Sequence, residues 1–153
     1  MNDFNEMIPE MKAWNNGQGV DVHTWIDAVG TFQLAIGYST IFWPEFTEVE
    51  GFVFRAGMDR QADWRNAYGG DRRKIEALAN HIHIDSIHYS DQEGKTPQKL
   101  KYLARILQDI YICKLTRDFP SKYFRVEVSD EADSPVLTFY QVTKAEAEQC
   151  NRP

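Results

Sequence analysis

Apolar and polar positions repeat along the chain with two periods, close to 3.6 and 2, and the longest regular stretch is Thr96–Asp118. Thr96 supplies an N-cap, Pro97 sits in the first turn where its missing N–H has no partner to lose, and Pro120 stops the run two residues past Asp118. A helix over 97–118 follows. Turned at about 100° per residue, Leu100, Leu103, Ala104, Ile106, Leu107, Ile110, Tyr111, Cys113 and Leu115 cover more than half the circumference. Lys101, Arg105, Gln108, Asp109 and Thr116 form the narrower polar face. The pattern predicts a central helix buried on two sides. Lys114 projects into the apolar arc, and the expectation for it is a packed stem with the ammonium reaching the last carbonyls or an acid.

The same patterning places the other elements around this helix. Residues 1–20, with Asn15, Asn16, Gly17 and Gly19 around Trp14, read as an irregular arm anchored by Met11 and Trp14. Asp21 caps a second helix whose Val22, Trp25, Ile26, Val29, Phe32 and Ile36 share one face, with Gly37 at its C-terminus. This amphipathic helix is expected to pack on the central one. Phe46–Val49 and Phe52–Phe54 suggest strands joined at Glu50–Gly51, the second of them buried on both faces. Two short helical patterns, 59–68 with Trp64 and Tyr68 and 71–80 with Ile75 and Ala79, are separated by Gly69–Gly70. His81–Asp85 alternates with period two. Tyr123–Ser129 and Val136–Val142 predict a hairpin across an acidic loop from Asp130 to Pro135, with Phe124, Val126 and Val128 facing the core. Residues 144–153 read as a short helical turn and a loose tail. The expectation is one α+β domain over 1–153, with the long helix, the N-terminal amphipathic helix and a small antiparallel sheet that includes the C-terminal hairpin.

Composition adds limits rather than an activity. A chain of 153 residues buries roughly two-thirds of its unfolded surface without needing disulfides or metal. No apolar run approaches the roughly 20 residues of a membrane span, and the N-terminus lacks the basic and apolar segments of a signal peptide. Two cysteines, Cys113 and Cys150, fit a reducing cytoplasm. The net charge of −6 is unevenly spread: residues 1–50 hold one base, Lys12, against eight acids. That field disfavours nucleic acid and anionic membrane and favours a basic protein partner.

Candidate chemistry falls in two places. Phe42–Phe54 combines aromatics with acids, so Trp43 and Phe46 are candidate contact anchors and Glu45, Glu48 and Glu50 candidate steering charges. The alternative is a metal-dependent enzyme of hydrolase type: His81, His83, Asp85 and His88 offer nitrogen and oxygen ligands to one divalent transition metal, whether the segment is strand or helix. The spacing matches no single metal signature, and His81, His83 and His88 on a wet face beside core Ile82, Ile84 and Ile87 is the plainer expectation. Arg72, Arg73, Asp71 and Glu76 read as a solvated helix face. Nucleotide-binding glycine motifs, a nucleophile elbow and a Cys–His nucleophile are absent. The leading expectation is therefore a small acidic cytoplasmic protein, with no cofactor, that binds another protein as an inhibitor, immunity-type protein or adaptor.

Overall fold

The computed structural model describes residues 4–60, 67–129, 131 and 134–150. The chain is α+β, and its contacts gather in two compact units, residues 1–41 and 42–153. The first contains α1 (Phe4–Met7), a 3-10 turn over Pro9–Ala13, α2 (Val22–Val29) and all but the last residue of α3 (Phe32–Phe42). The N-terminal arm winds around Met11: its side chain is buried, and its carbonyl accepts from the Trp14 and Val20 N–H groups. Trp14 itself stays on the surface.

Asp21 caps α2 as the sequence predicts, its carboxylate accepting from the N–H groups of His23 (2.9 Å) and Thr24 (3.1 Å). The helix then ends at Gly30 instead of Gly37. Gly30 is extended at ψ 159°, donates back to the Ile26 carbonyl at 2.7 Å, and leaves no room for a Cβ, which would fall 2.6 Å from that same oxygen. Thr31 immediately recaps the chain, accepting from the Leu34 N–H at 3.2 Å, so α3 begins there and runs through Gly37. A stop and a start on adjacent residues broke one expected helix into two. Phe32 is left 88% exposed.

The second unit holds β1 (Phe46–Val49), β2 (Phe52–Arg55), α4 (Arg72–Ala79), β3 (Ile82–His83), α5 (Pro97–Asp118), β4 (Tyr123–Val128), β5 (Val136–Val142) and α6 (Lys144–Cys150). β1 and β2 form an antiparallel hairpin whose two-residue turn, Glu50 at φ +52° and Gly51 at φ +83°, has the sense that matches strand twist. β3, β5 and β4 form a second antiparallel sheet in that order. Of the pattern expected over 59–68, residues 61–66 with Trp64 lie outside the described ones, as do 130, 132 and 133 of the acidic loop and 151–153 of the tail.

Thr96 caps α5 through a bond from the Lys99 N–H at 3.3 Å. The helix buries Leu100, Ala104, Leu107, Tyr111, Lys114 and Leu115, all on one side. Leu103, Ile106 and Ile110 are half-buried and Cys113 is exposed, so full burial covers one arc rather than the two expected. Against that arc lies an aromatic cluster. The Phe46 ring stands 5.8 Å from Tyr111, 5.3 Å from Phe139 and 6.4 Å from Phe119, and Phe124 is 6.3 Å from Phe139. Edge-on and tilted rings at these distances add to the area they bury. Burial pushes the Tyr111 hydroxyl up to about 12. A smaller cluster of Phe54 and Ile75, joined by Val49, Phe52, Met58 and Ala79, packs α4 on β2.

Candidate functional site

Trp43 lies just before Pro44 and β1, and its indole is held from one side of α5. The Arg117 guanidinium stands 4.9 Å and the Lys114 ammonium 5.3 Å from the ring centroid. Lys114 is also 5.6 Å from the Phe46 ring and pairs with Asp118 one turn on. The hydrogen bond from Lys114, reinforced by Arg117, holds the Asp118 carboxyl below the usual carboxylate range. The buried ammonium thus has a carboxylate and two ring faces in place of water. Trp43 nevertheless remains 44% exposed.

The other members of the aromatic and acidic block divide. Phe46 is half-buried, with one side against the aromatic cluster. Glu45 is exposed, and its carbonyl accepts from the Ala56 N–H at 2.8 Å. Glu48 points outward and pairs with Lys122 at 2.9 Å. Glu50 occupies the hairpin turn. Trp43, Glu45, Glu48 and Glu50 are therefore surface groups of one unit, with Phe46 as the packed floor.

The histidine segment is built differently from either expectation. β3 is two residues long and a 3-10 turn, Ile84–Ser86, follows it. Ile82 and Ile84 enter the core. The His81 and His83 rings meet edge-on at 5.3 Å, His81 Nδ1 contacts the Leu78 carbonyl, and Asp85 accepts from the Ser134 hydroxyl at 3.3 Å. Among the described residues, no three His, Cys, Asp or Glu side chains are grouped to hold a metal ion. No described helix is long and apolar enough to cross a membrane.

A polar cluster that the sequence reading placed in solvent lies instead at the centre of the unit. Glu76 is 0% exposed. Its Oε1 accepts from the Val53 N–H at 2.8 Å and from Gln141 Nε2, and its Oε2 accepts from the Gln141 N–H at 2.7 Å. Burial raises its pKa above the ordinary glutamate value, against the lowering effect of the Gln141 and Val53 donors and of Arg72. One turn on, Asn80 accepts from the Arg55 N–H at 3.0 Å and donates to the carbonyls of Val53 (2.8 Å) and Phe139 (3.4 Å). Glu76 of α4 and Asn80 at its C-cap thereby bond the β2 edge on one side and the β5 edge on the other. The cluster is occupied by backbone partners and the Gln141 side-chain amide, which makes it a staple between two sheets. The sequence signal was a carboxylate and an amide four apart, bordering the Ile75 and Ala79 stripe.

No family model, curated protein or solved structure matches this chain.

Proposed function

We propose that the chain is a protein-binding protein whose contact surface includes Trp43 and Phe46 as anchors, with Glu45, Glu48 and Glu50 on the same unit and a basic protein as partner. The observation that supports this reading is the state of Trp43: a large ring, about half exposed, already fixed by Arg117 and the buried Lys114. Fixing an aromatic anchor before association removes part of the ordering cost of binding. The three carboxylates add a field that speeds encounter with a basic surface.

The test is affinity capture with the wild-type chain and with Trp43→Ala, followed by association kinetics of the captured partner. Trp43→Ala is expected to weaken binding about tenfold or more, as loss of a central aromatic anchor does. Equal retention by both chains removes Trp43 from the contact. Changing Glu45, Glu48 and Glu50 together to Gln is expected to slow association at low salt and to matter little at high salt. An on-rate that is unchanged at low salt ends the steering role.

A further inference from the structure

The free edge of β4 faces a groove whose other wall is α5, and its hydrogen-bonding groups can be assigned from the register. In the β4–β5 ladder, Phe124 stands opposite Gln141, Val126 opposite Phe139 and Val128 opposite Leu137. The Gln141 N–H goes to Glu76 and the Phe139 carbonyl accepts from Asn80, so neither group is available to β4. The next pair along does bond across the ladder, with the Ser129 N–H donating to the Val136 carbonyl at 2.9 Å. Antiparallel pairs alternate, so Phe124, Val126 and Val128 turn their N–H and C=O groups away from β5. Among these six groups only the Val126 carbonyl has a partner among the described residues, Gln108 Nε2 at 2.9 Å.

Gln108 belongs to a stripe on α5, Lys101, Arg105, Gln108, Ile112 and Thr116, whose spacings of three and four keep it in line along the helix. The stripe runs about 22 Å and six-residue β4 about 20 Å. A cavity of about 980 Å³ lies between Gln108, Ile112 and Thr116 and the strand, and a second of about 640 Å³ continues it past Val128 to Lys101, Arg105 and Glu131. Lys101 and Arg105 have no carboxylate partner among the described residues.

We propose that this groove binds an extended peptide segment of a partner protein as an added strand on β4, with an acidic residue at the end beside Lys101 and Arg105. The main-chain groups of Phe124, Val126 and Val128 supply the ladder, Gln108 swings off the Val126 carbonyl to admit it, and Ile112 offers an apolar contact to alternate side chains. The cavity beside the edge, with Ala147 of α6 also on its wall, is the space an added strand would occupy, and the cationic pair at its far end matches an acidic segment; β4 of a second copy is the other outcome of the test below. The surface is separate from Trp43: Lys114 lies about 200° around α5 from Ile112. Failure of one site therefore leaves the other standing.

The probe is two pools of acetylated octapeptides that alternate Val, Ile or Thr with Ser, one pool ending in two Glu and the other in two Lys. Each is added to the full chain while amide hydrogen exchange is followed residue by residue. In the free protein the amides of Phe124, Val126 and Val128 are expected to exchange fast and those of Arg125 and Glu127 slowly. The acidic pool is expected to slow the first three about tenfold and to bind more tightly than the basic pool. Val128→Pro, which removes an edge N–H without touching the ladder to β5, and Ile112→Arg, at a position already 47% exposed, are each expected to weaken binding about tenfold. No protection at the three amides with either pool overturns the proposal. So does binding unaffected by Ile112→Arg, or protection in the free protein that grows with its concentration, which assigns the edge to a second copy. Equal binding of the two pools overturns the role of Lys101 and Arg105.

Discussion

The two flanks of the three-stranded sheet face the same problem and meet it in opposite ways. Beyond β3, the β5 edge offers the Phe139 carbonyl and the Gln141 N–H, and α4 covers both with Asn80 and Glu76, which also bind the β2 edge. Two side chains take the place of a missing strand. The β4 edge offers six groups and, among the described residues, receives one bond, from Gln108. A buried edge must be satisfied, because an unpaired N–H there costs about 1–3 kcal/mol, whereas an edge beside an open cavity can be left to water. The difference separates the structural flank from the flank available for binding.

The largest effect is expected on the closed flank. Glu76→Gln keeps the size of the side chain, but a carboxamide brings an NH₂ group where three donors already point inward, so at least one donor loses its acceptor in either orientation. A loss of about 3 kcal/mol in unfolding free energy at neutral pH is expected. Urea denaturation measures it. A loss below about 1 kcal/mol would mean that β2 and β5 hold together without the carboxylate.

The pH dependence of that same comparison is smaller and has a fixed sign. Glu76 is raised by burial, so between its unfolded and folded values the native chain holds more protons than the unfolded one. Its contribution is fully present below the unfolded value, and stability is lost as pH rises through the folded one. The difference between wild type and Glu76→Gln should therefore widen as the solution is taken from neutral pH down through the range just above ordinary glutamate titration. Groups common to both chains, Asp118 among them, cancel in the difference. A gap that narrows on acidification would show that the Gln141 and Val53 donors outweigh burial.

How far the sequence discloses these two flanks depends on which forces are local. Asp21 and Thr96 announce helix starts because an N-cap bond closes within three residues, and both caps are present; Asp71, read only as part of a solvated face, caps α4 in the same way. Both hairpins are legible, the first from β-type residues flanking Glu50–Gly51 and the second from β-branched and aromatic runs flanking the acidic loop. The break at Gly30 is hidden because the apolar spacing continues through Phe32 and Ile36 as if the helix had not stopped. Glu76 is hidden more deeply: beside Arg72 and Arg73 it reads as a wet face, and only the arrival of β2 and β5 from 23 and 65 residues away turns it inward. Phe46, an aromatic read as an anchor, is half-buried, with Tyr111 and Phe139 against its ring. Trp43 keeps its exposed position, but Arg117 and Lys114 beside it come from a helix more than 70 residues on.

The smallest effect is expected where the open flank makes its single bond. Gln108→Ala deletes the donor to the Val126 carbonyl, and water from the adjoining cavity can replace it, so the loss should be about 0.5 kcal/mol. The same change removes the side chain that an added strand has to displace, so it should leave peptide affinity equal to or above that of the wild type. A loss above about 2 kcal/mol would place the Val126 carbonyl in a dry, closed environment. The β4 edge would then be sealed like that of β5, by one amide in place of two side chains, and the contrast between the flanks would disappear.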